Sequence, residues 1–251
     1  MVFFWYPKEF LMDQIFELYD TNNCNNSEHR LPLIGDVAPE FTASTTNGKI
    51  TFPDDFAGHW IVFFSHPADF TPVCTTEFVA FQNNLKEFEK INTVLLGLSI
   101  GGLSSHLAWF DAISKIPNGT TITFPLIDDL NMKIAKLYGM LQPGVSDTHA
   151  VRAVFIIDPN GIVRTVLYYP AVLGRNMSEI WRILVGLQTA DAFGVAIPAN
   201  WTPGDDVMKP APATADAMRE KDRKNPWFMN YKKLDKKEIY EKICKKESNK
   251  K

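Results

Sequence analysis

Apolar positions along this chain change their spacing several times, and each change predicts an element. Phe41-Thr42-Ala43 and Ile50-Thr51-Phe52 lie on either side of Asn47-Gly48, the pattern of a small hairpin. Residues 60–65 are apolar until the closing serine, as in a strand buried on both faces. From 75 to 90 the period becomes helical, with Phe78, Phe81, Leu85 and Phe88 on one face. Cys74 therefore falls at a strand-to-helix junction. Residues 93–99 predict the next strand, 104–113 a helix, and 123–127 a short strand. Ile134, Leu137 and Tyr138 mark a helical face that Gly139 stops. Two more strands, 151–157 and 162–169, flank the turn sequence Asp158-Pro159-Asn160-Gly161, and a helix follows from 177 to about 191.

Strands and helices alternate early and an antiparallel pair comes late, so the economical arrangement is α/β: a central mixed β-sheet flanked by helices, the thioredoxin-like layer plan. The polar break Asn22-Asn23-Cys24-Asn25-Asn26-Ser27 sets off an N-terminal extension, 1–30, from the main domain, 31–192. Within the extension, residues 8–19 read as a surface or partner-packing helix. Beyond it, Pro198, Pro203, Pro210 and Pro212 separate short segments, and a lysine-rich helix is predicted from 235 to 246. With too little apolar patterning for a generous core of its own, 193–251 reads as a C-terminal arm and dimerisation region.

Composition narrows the function classes. A chain of 251 residues that is 45% apolar can bury a full core without metal or disulfides. Its 26 basic and 29 acidic residues leave a charge of -3, which gives no reason to expect nucleic acid or an anionic membrane as partner. The lysines crowding 219–251 make a solvated surface or a contact for an acidic neighbouring subunit. Three scattered cysteines, Cys24, Cys74 and Cys244, without a Cys-x-x-Cys pair, fit a reducing, cytoplasmic setting rather than a disulfide framework. The apolar opening is interrupted at Lys8, Glu9 and Asp13, unlike a secretory signal, and no stretch approaches a membrane span.

Candidate chemistry centres on Cys74. A thiol at the start of a helix gains backbone donors and the positive end of the helix dipole, both of which favour its thiolate. Pro67-x-x-x-Thr71-x-x-Cys74 places a hydroxyl three residues before the sulfur, and Arg152 in Val151-Arg152-Ala153-Val154-Phe155 supplies a cation. Thr71 can accept from a bound substrate and donate toward the sulfur or a substrate oxygen. Pro67, with no N–H, can shield the pocket without a competing donor. No cofactor is called for, and Cys74 with His66 and His149 lacks compact metal-ligand spacing. Gly97-Leu98-Ser99-Ile100-Gly101 matches the short pattern of a serine-hydrolase elbow, with His106 and His149 as candidate bases, and stands as the competing enzyme reading.

From Leu31 to about Met229 the sequence resembles the one-cysteine peroxiredoxins of the AhpC/TSA superfamily, in particular archaeal and bacterial thioredoxin peroxidases with an extended C-terminal arm. The active-site motif, Arg152, and Tyr168-Tyr169-Pro170 followed by Gly174-Arg175-Asn176 carry the likeness. The resemblance implies a peroxidase in which Cys74 attacks hydrogen peroxide or an organic hydroperoxide and becomes a sulfenic acid. It assigns substrate contacts to Thr71, Val73 and Arg152, a shielding place to Pro67, and supporting places to Glu77, Arg175 and His66. Arg175 either stabilises the thiolate or secures Glu77, and His66 borders the pocket and steers a reducing partner. Some arm-bearing relatives carry a cysteine pair around the segment matching Asn225-Pro226-Trp227-Phe228-Met229; Arg223 and Met229 stand there in this chain. That departure favours an external reductant such as thioredoxin or a small thiol, with Cys244 the candidate resolving thiol inside the chain and Cys24 a weaker one. A homodimer, assembled into a pentamer of dimers, is also implied. The non-enzymatic alternative is a chaperone or redox sensor built on the same fold.

Overall fold

The computed structural model describes residues 30–215, 226 and 228–244. The helix expected at 8–19, Cys24, Arg223 and Trp227 lie outside the described residues.

Seven strands form the main sheet in the order β2-β1-β5-β4-β3-β6-β7. They are β1 Phe41–Thr45, β2 Gly48–Phe52, β3 Trp60–Ser65, β4 Thr93–Ser99, β5 Leu126–Asp128, β6 Arg152–Ile157 and β7 Val163–Tyr169. Strands β3, β4 and β5 are parallel to their neighbours in that group, whereas β1 with β2, β3 with β6 and β6 with β7 are antiparallel. The helices are α1 Pro72–Lys90, α2 Leu103–Lys115, α3 Lys133–Leu137, α4 Met177–Phe193 and α5 Lys236–Cys244. This is the mixed α/β sheet of a thioredoxin-like fold, followed by a C-terminal extension in which β8 Val207–Met208 pairs with β9 Tyr231–Lys232.

Local chemistry explains most boundaries. Pro72 opens α1, where its missing N–H costs nothing and its fixed φ suits the first turn. The helix thus begins earlier than the spacing from 75 predicts, and Cys74 sits inside its first turn rather than before it. Asn176 caps α4 by accepting from Ser178 N at 2.9 Å and Glu179 N at 3.3 Å, and Gly194, at φ +62°, ends it in the left-handed region. The short strand lies at 126–128 rather than 123–127, because Pro125 has no N–H for the ladder and Thr123 N instead donates to Gln82 Oε1 at 2.9 Å.

Alternation along β3 divides the core. Val62 and Phe64 face a cluster with Phe78, Phe81 and Phe88 of α1, Trp109 of α2, Ile180 and Leu184 of α4, and Ile239 and Ile243 of α5. Ile61 and Phe63 face another with Phe52, Tyr138 and Phe155. Each buried aromatic or aliphatic side chain contributes roughly 1.5–3 kcal/mol through area removed from water.

Candidate active site

The site is built where β3 ends, β6 begins and α1 starts. Ser65 closes β3, and its hydroxyl donates to Val151 O at 2.6 Å while accepting from Ala153 N at 3.1 Å, locking the two strand ends together. Residues 66–71 then loop over to α1. In the first turn of that helix Cys74 is wholly buried.

Arg152, the first residue of β6, reaches the sulfur. Its Nη1 donates to Cys74 Sγ at 3.3 Å and to Glu77 Oε2 at 2.6 Å. Nε and Nη2 donate to Ala171 O at 3.1 and 2.8 Å, so the plane of the guanidinium is fixed from both ends. Arg175 closes the other side of Glu77: its backbone N and Nε donate to Oε1 at 2.8 and 2.9 Å, and Nη2 to Oε2 at 2.6 Å. Its remaining Nη1 donates to Ser65 O at 2.9 Å and Ala153 O at 3.1 Å. The cation also lies over the rings of Phe64 and Phe81, at 5.0 and 5.4 Å.

Burial alone would raise the Glu77 pKa, but the two guanidinium groups and the Arg175 hydrogen bonds outweigh it and hold the carboxyl below its ordinary value. Burial pulls Arg175 down from its ordinary value, against the opposing charge of Glu77. Two cations and one anion leave one unit of positive charge beside the sulfur, and a Cys74 thiolate completes the balance. A buried ion cluster of this kind is costly unless every charge is matched.

Thr71 caps α1 without a side-chain bond to the helix. Its hydroxyl donates to Ala68 O at 2.9 Å, not to the sulfur as its residue chemistry allows. With the proton committed, only the lone pairs of that oxygen remain to be used. Pro67, Thr71 and Val73 are half-buried, and Gly174 approaches closely enough that an added methyl would lie 3.4 Å from Val73 Cγ1. The 170–174 segment thus meets the cluster at two points, through the Ala171 carbonyl on Arg152 and through Gly174 beside Val73.

His66 is fully buried, with Nε2 3.0 Å from Asp69 Oδ1 and its ring packed against Phe78 and Trp109. Desolvation lowers its pKa below the ordinary histidine value despite Asp69. The hydrolase arrangement is not assembled. Ser99 is buried at the end of β4 with an unpartnered hydroxyl, His106 is engaged by Asp69, and exposed His149 is bonded to Thr148. Among the described residues no cluster of three metal-type ligands occurs, and no helix is long and apolar enough to cross a membrane. Sequence reasoning missed the Ala171 carbonyl and the Asp69 network. A buried carboxylate three residues after a histidine was the available signal for the second, but its partners come from α2, far along the chain.

Comparison with known proteins agrees with this geometry. Residues 34–166 match the AhpC/TSA family, and residues 186–224 match the C-terminal domain of 1-Cys peroxiredoxin. A peroxiredoxin of Methanosarcina mazei is 54% identical over 215 residues, covering 81% of this chain and 98% of the relative. A peroxiredoxin of Aquifex aeolicus is 56% identical over 173 residues, covering 69% of this chain and 78% of the relative. Among solved structures, the yeast mitochondrial 1-Cys peroxiredoxin, studied for its thiol resolution through glutathione/thioredoxin systems, aligns with a TM-score of 0.72 at 39% identity, covering 81% of this chain and all of that one. A cysteine-to-serine mutant of peroxiredoxin 6 of Arenicola marina gives 0.69 at 35%, covering 74% and 87%. With its cysteine held under a guanidinium in the matching fold, this chain belongs to the AhpC/TSA family of peroxiredoxins, as a thiol-dependent peroxidase that reduces hydroperoxides through Cys74.

Proposed function

We propose that the sulfenic acid formed at Cys74 is recycled by an external thiol, and that Pro67, Thr71, Val73 and Arg152 hold the peroxide for attack. The contact from Arg152 Nη1 to both Cys74 Sγ and Glu77 Oε2 carries this reading. The thiolate attacks one peroxide oxygen as the O–O bond breaks. Sulfur loses two electrons and gains the S–O bond, while the leaving hydroxide or alkoxide takes a proton and departs as water or alcohol. Thr71 accepts from the substrate hydroxyl, and the Arg152 guanidinium stabilises negative charge as it moves from sulfur to the leaving oxygen. Arg175 acts through Glu77, which it holds so that Glu77 in turn orients Arg152.

An incoming thiol then displaces water from the sulfenic acid to give a mixed disulfide, and a second thiol releases Cys74. Half-buried Cys244, packed on the apolar core at the end of α5, is poorly presented as an internal resolver. The glutathione/thioredoxin systems of the yeast mitochondrial relative support an external donor, and the scattered cysteines without a Cys-x-x-Cys pair support a reducing, cytoplasmic setting. β7 is one of the two edge strands of its sheet, opposite β2, among the described residues, and it and the arm are the surfaces we assign to a homodimer, the unit of a pentamer of dimers.

Mass spectrometry of the full chain and of C24S, C74S and C244S after one equivalent of peroxide tests the recycling step. Sulfenic acid at Cys74, formed equally in C244S, is expected. A rapid Cys74–Cys244 bridge would reverse the assignment.

A further inference from the structure

Outside the Arg152–Glu77–Arg175 cluster, the molecule buries a second set of ionisable side chains beneath the same loop. Asp69 has a side chain only 4% exposed and accepts from three groups. His66 Nε2 lies 3.0 Å from Oδ1, while Ser105 Oγ at 2.6 Å and His106 Nδ1 at 2.8 Å meet Oδ2. An ionised carboxylate only accepts, so both rings present an N–H to it. His66 Nδ1 and His106 Nε2 are then left buried with no partner among the described residues. Unsatisfied buried nitrogens are costly, so the arrangement satisfies the carboxylate and leaves the histidines half-satisfied.

What the carboxylate fixes is the backbone beside it. Ser105 and His106 belong to α2, so Asp69 pins the loop to that helix. Its preceding peptide carbonyl is Ala68 O, the acceptor for the Thr71 hydroxyl at 2.9 Å. Phe70, between Asp69 and Thr71, has φ +55°, a left-handed conformation that a bulky residue adopts only when both sides hold it. Helix α2 grips the far side as well: Trp109 Nε1 donates to Thr75 Oγ1 at 3.3 Å, and that hydroxyl donates to Thr71 O at 2.8 Å. A continuous path therefore runs from α2 through Asp69 and the Ala68 carbonyl to the hydroxyl that meets peroxide.

We propose that Asp69 is a positioning residue for the peroxidase reaction, a latch from α2 that aims the Thr71 hydroxyl through the Ala68 carbonyl. The proposal rests on the reading of Thr71 as a substrate contact. It separates two reactions of the same sulfur. Attack on peroxide needs Thr71 in place; alkylation by iodoacetamide needs the thiolate but no aimed hydroxyl.

The test measures both second-order rate constants on full-length D69N, S105A and T71V, with near-UV circular dichroism to establish folding. In D69N the ratio of peroxide rate to alkylation rate is expected to fall at least tenfold, and in S105A three- to fivefold. A ratio in folded D69N within threefold of the parent, or both rates falling by one common factor, overturns the latch, since a merely structural role would move the two together. Any smaller fall than tenfold counts the same way. If D69N does not fold, S105A decides, and a ratio changed less than threefold there overturns the proposal. T71V separates the two claims: an unchanged ratio in T71V overturns the Thr71 reading, whereas an altered ratio there with an unchanged one in D69N overturns the latch alone.

Discussion

The two faces of the central sheet are made from the same strands and do different things. On one, Phe64 lies under Arg175, and a layer of buried charge follows: Glu77, Arg152 and Arg175 around the sulfur, Asp69 with His66 and His106 beside it. On the other, Phe63 meets Phe41, Phe52, Tyr138 and Phe155 at centroid separations of 5.0–6.4 Å, in tilted and edge-on arrangements. Its buried carboxylate, Asp129, accepts from Ile134 N and Ala135 N at the start of α3 and touches no cation in that role. Burial raises the Asp129 pKa, whereas cations lower that of Glu77. Moving one residue along β3 passes from a face of packed rings to one that buries a cluster of charge around the sulfur.

A crossed pair of substitutions tests that division most severely. Phe63→Ala removes a fully buried ring from the aromatic face and is expected to cost about 3–5 kcal/mol of unfolding free energy, with the peroxide rate per folded molecule unchanged. Arg152→Met is expected to lower that rate by roughly a hundred- to a thousandfold, the scale of losing one preorganised donor at a developing charge. Denaturant titration and stopped-flow peroxide consumption on both variants decide it. Equal losses of rate in the two would mean that the faces are not separable.

Acid should expose the difference in sign between the carboxylates. Glu77 has a folded pKa below its unfolded value of about 4.3, so its stabilisation is fully present above that value and is lost as pH falls through the folded pKa. Glu77→Gln leaves two buried cations without their anion and is expected to destabilise by about 3 kcal/mol at pH 7. That deficit should shrink as the parent is acidified below about pH 4.3. Urea unfolding from pH 3 to pH 7 measures it, and a deficit independent of pH would show that Glu77 is not held as the anion. Asp129 has the reverse linkage: its raised pKa means a contribution present at low pH and lost as pH rises through the folded value.

How much of this could be read from the chain depends on whether a partner is local. Phe78, Phe81 and Phe88 announce α1 because one helix face needs only its own period. Glu77 and Arg175 lie far apart in sequence, yet the motif resemblance suggested their pairing, and the structure joins them with three hydrogen bonds. The surroundings of His66 are illegible in the sequence for a different reason. Nothing near it in sequence shows that α2 brings Trp109 against its ring and His106 onto Asp69. Thr71 shows the same limit at shorter range, since the orientation of the Ala68 carbonyl depends on Phe70 adopting a positive φ.

The smallest effect is expected at the far end of the charged face, where an ion cluster of similar composition remains wet. Arg164 on β7 makes a bidentate pair with Asp191 of α4, at 2.8 and 2.9 Å, and reaches Asp158 at 3.2 Å. It also lies 5.5 Å from the centroid of the Trp60 ring. Like Arg152 it is a cation beside more than one acceptor, but its side chain is 25% exposed against 2%. Water and salt therefore screen Arg164 and leave Arg152 almost untouched. Arg164→Ala is expected to cost about 1 kcal/mol at low salt, less at about 1 M salt, with no change in peroxide rate. Denaturant midpoints at the two ionic strengths measure this. A loss comparable to that of Glu77→Gln would mean that composition, rather than exclusion of water, sets the strength of both clusters.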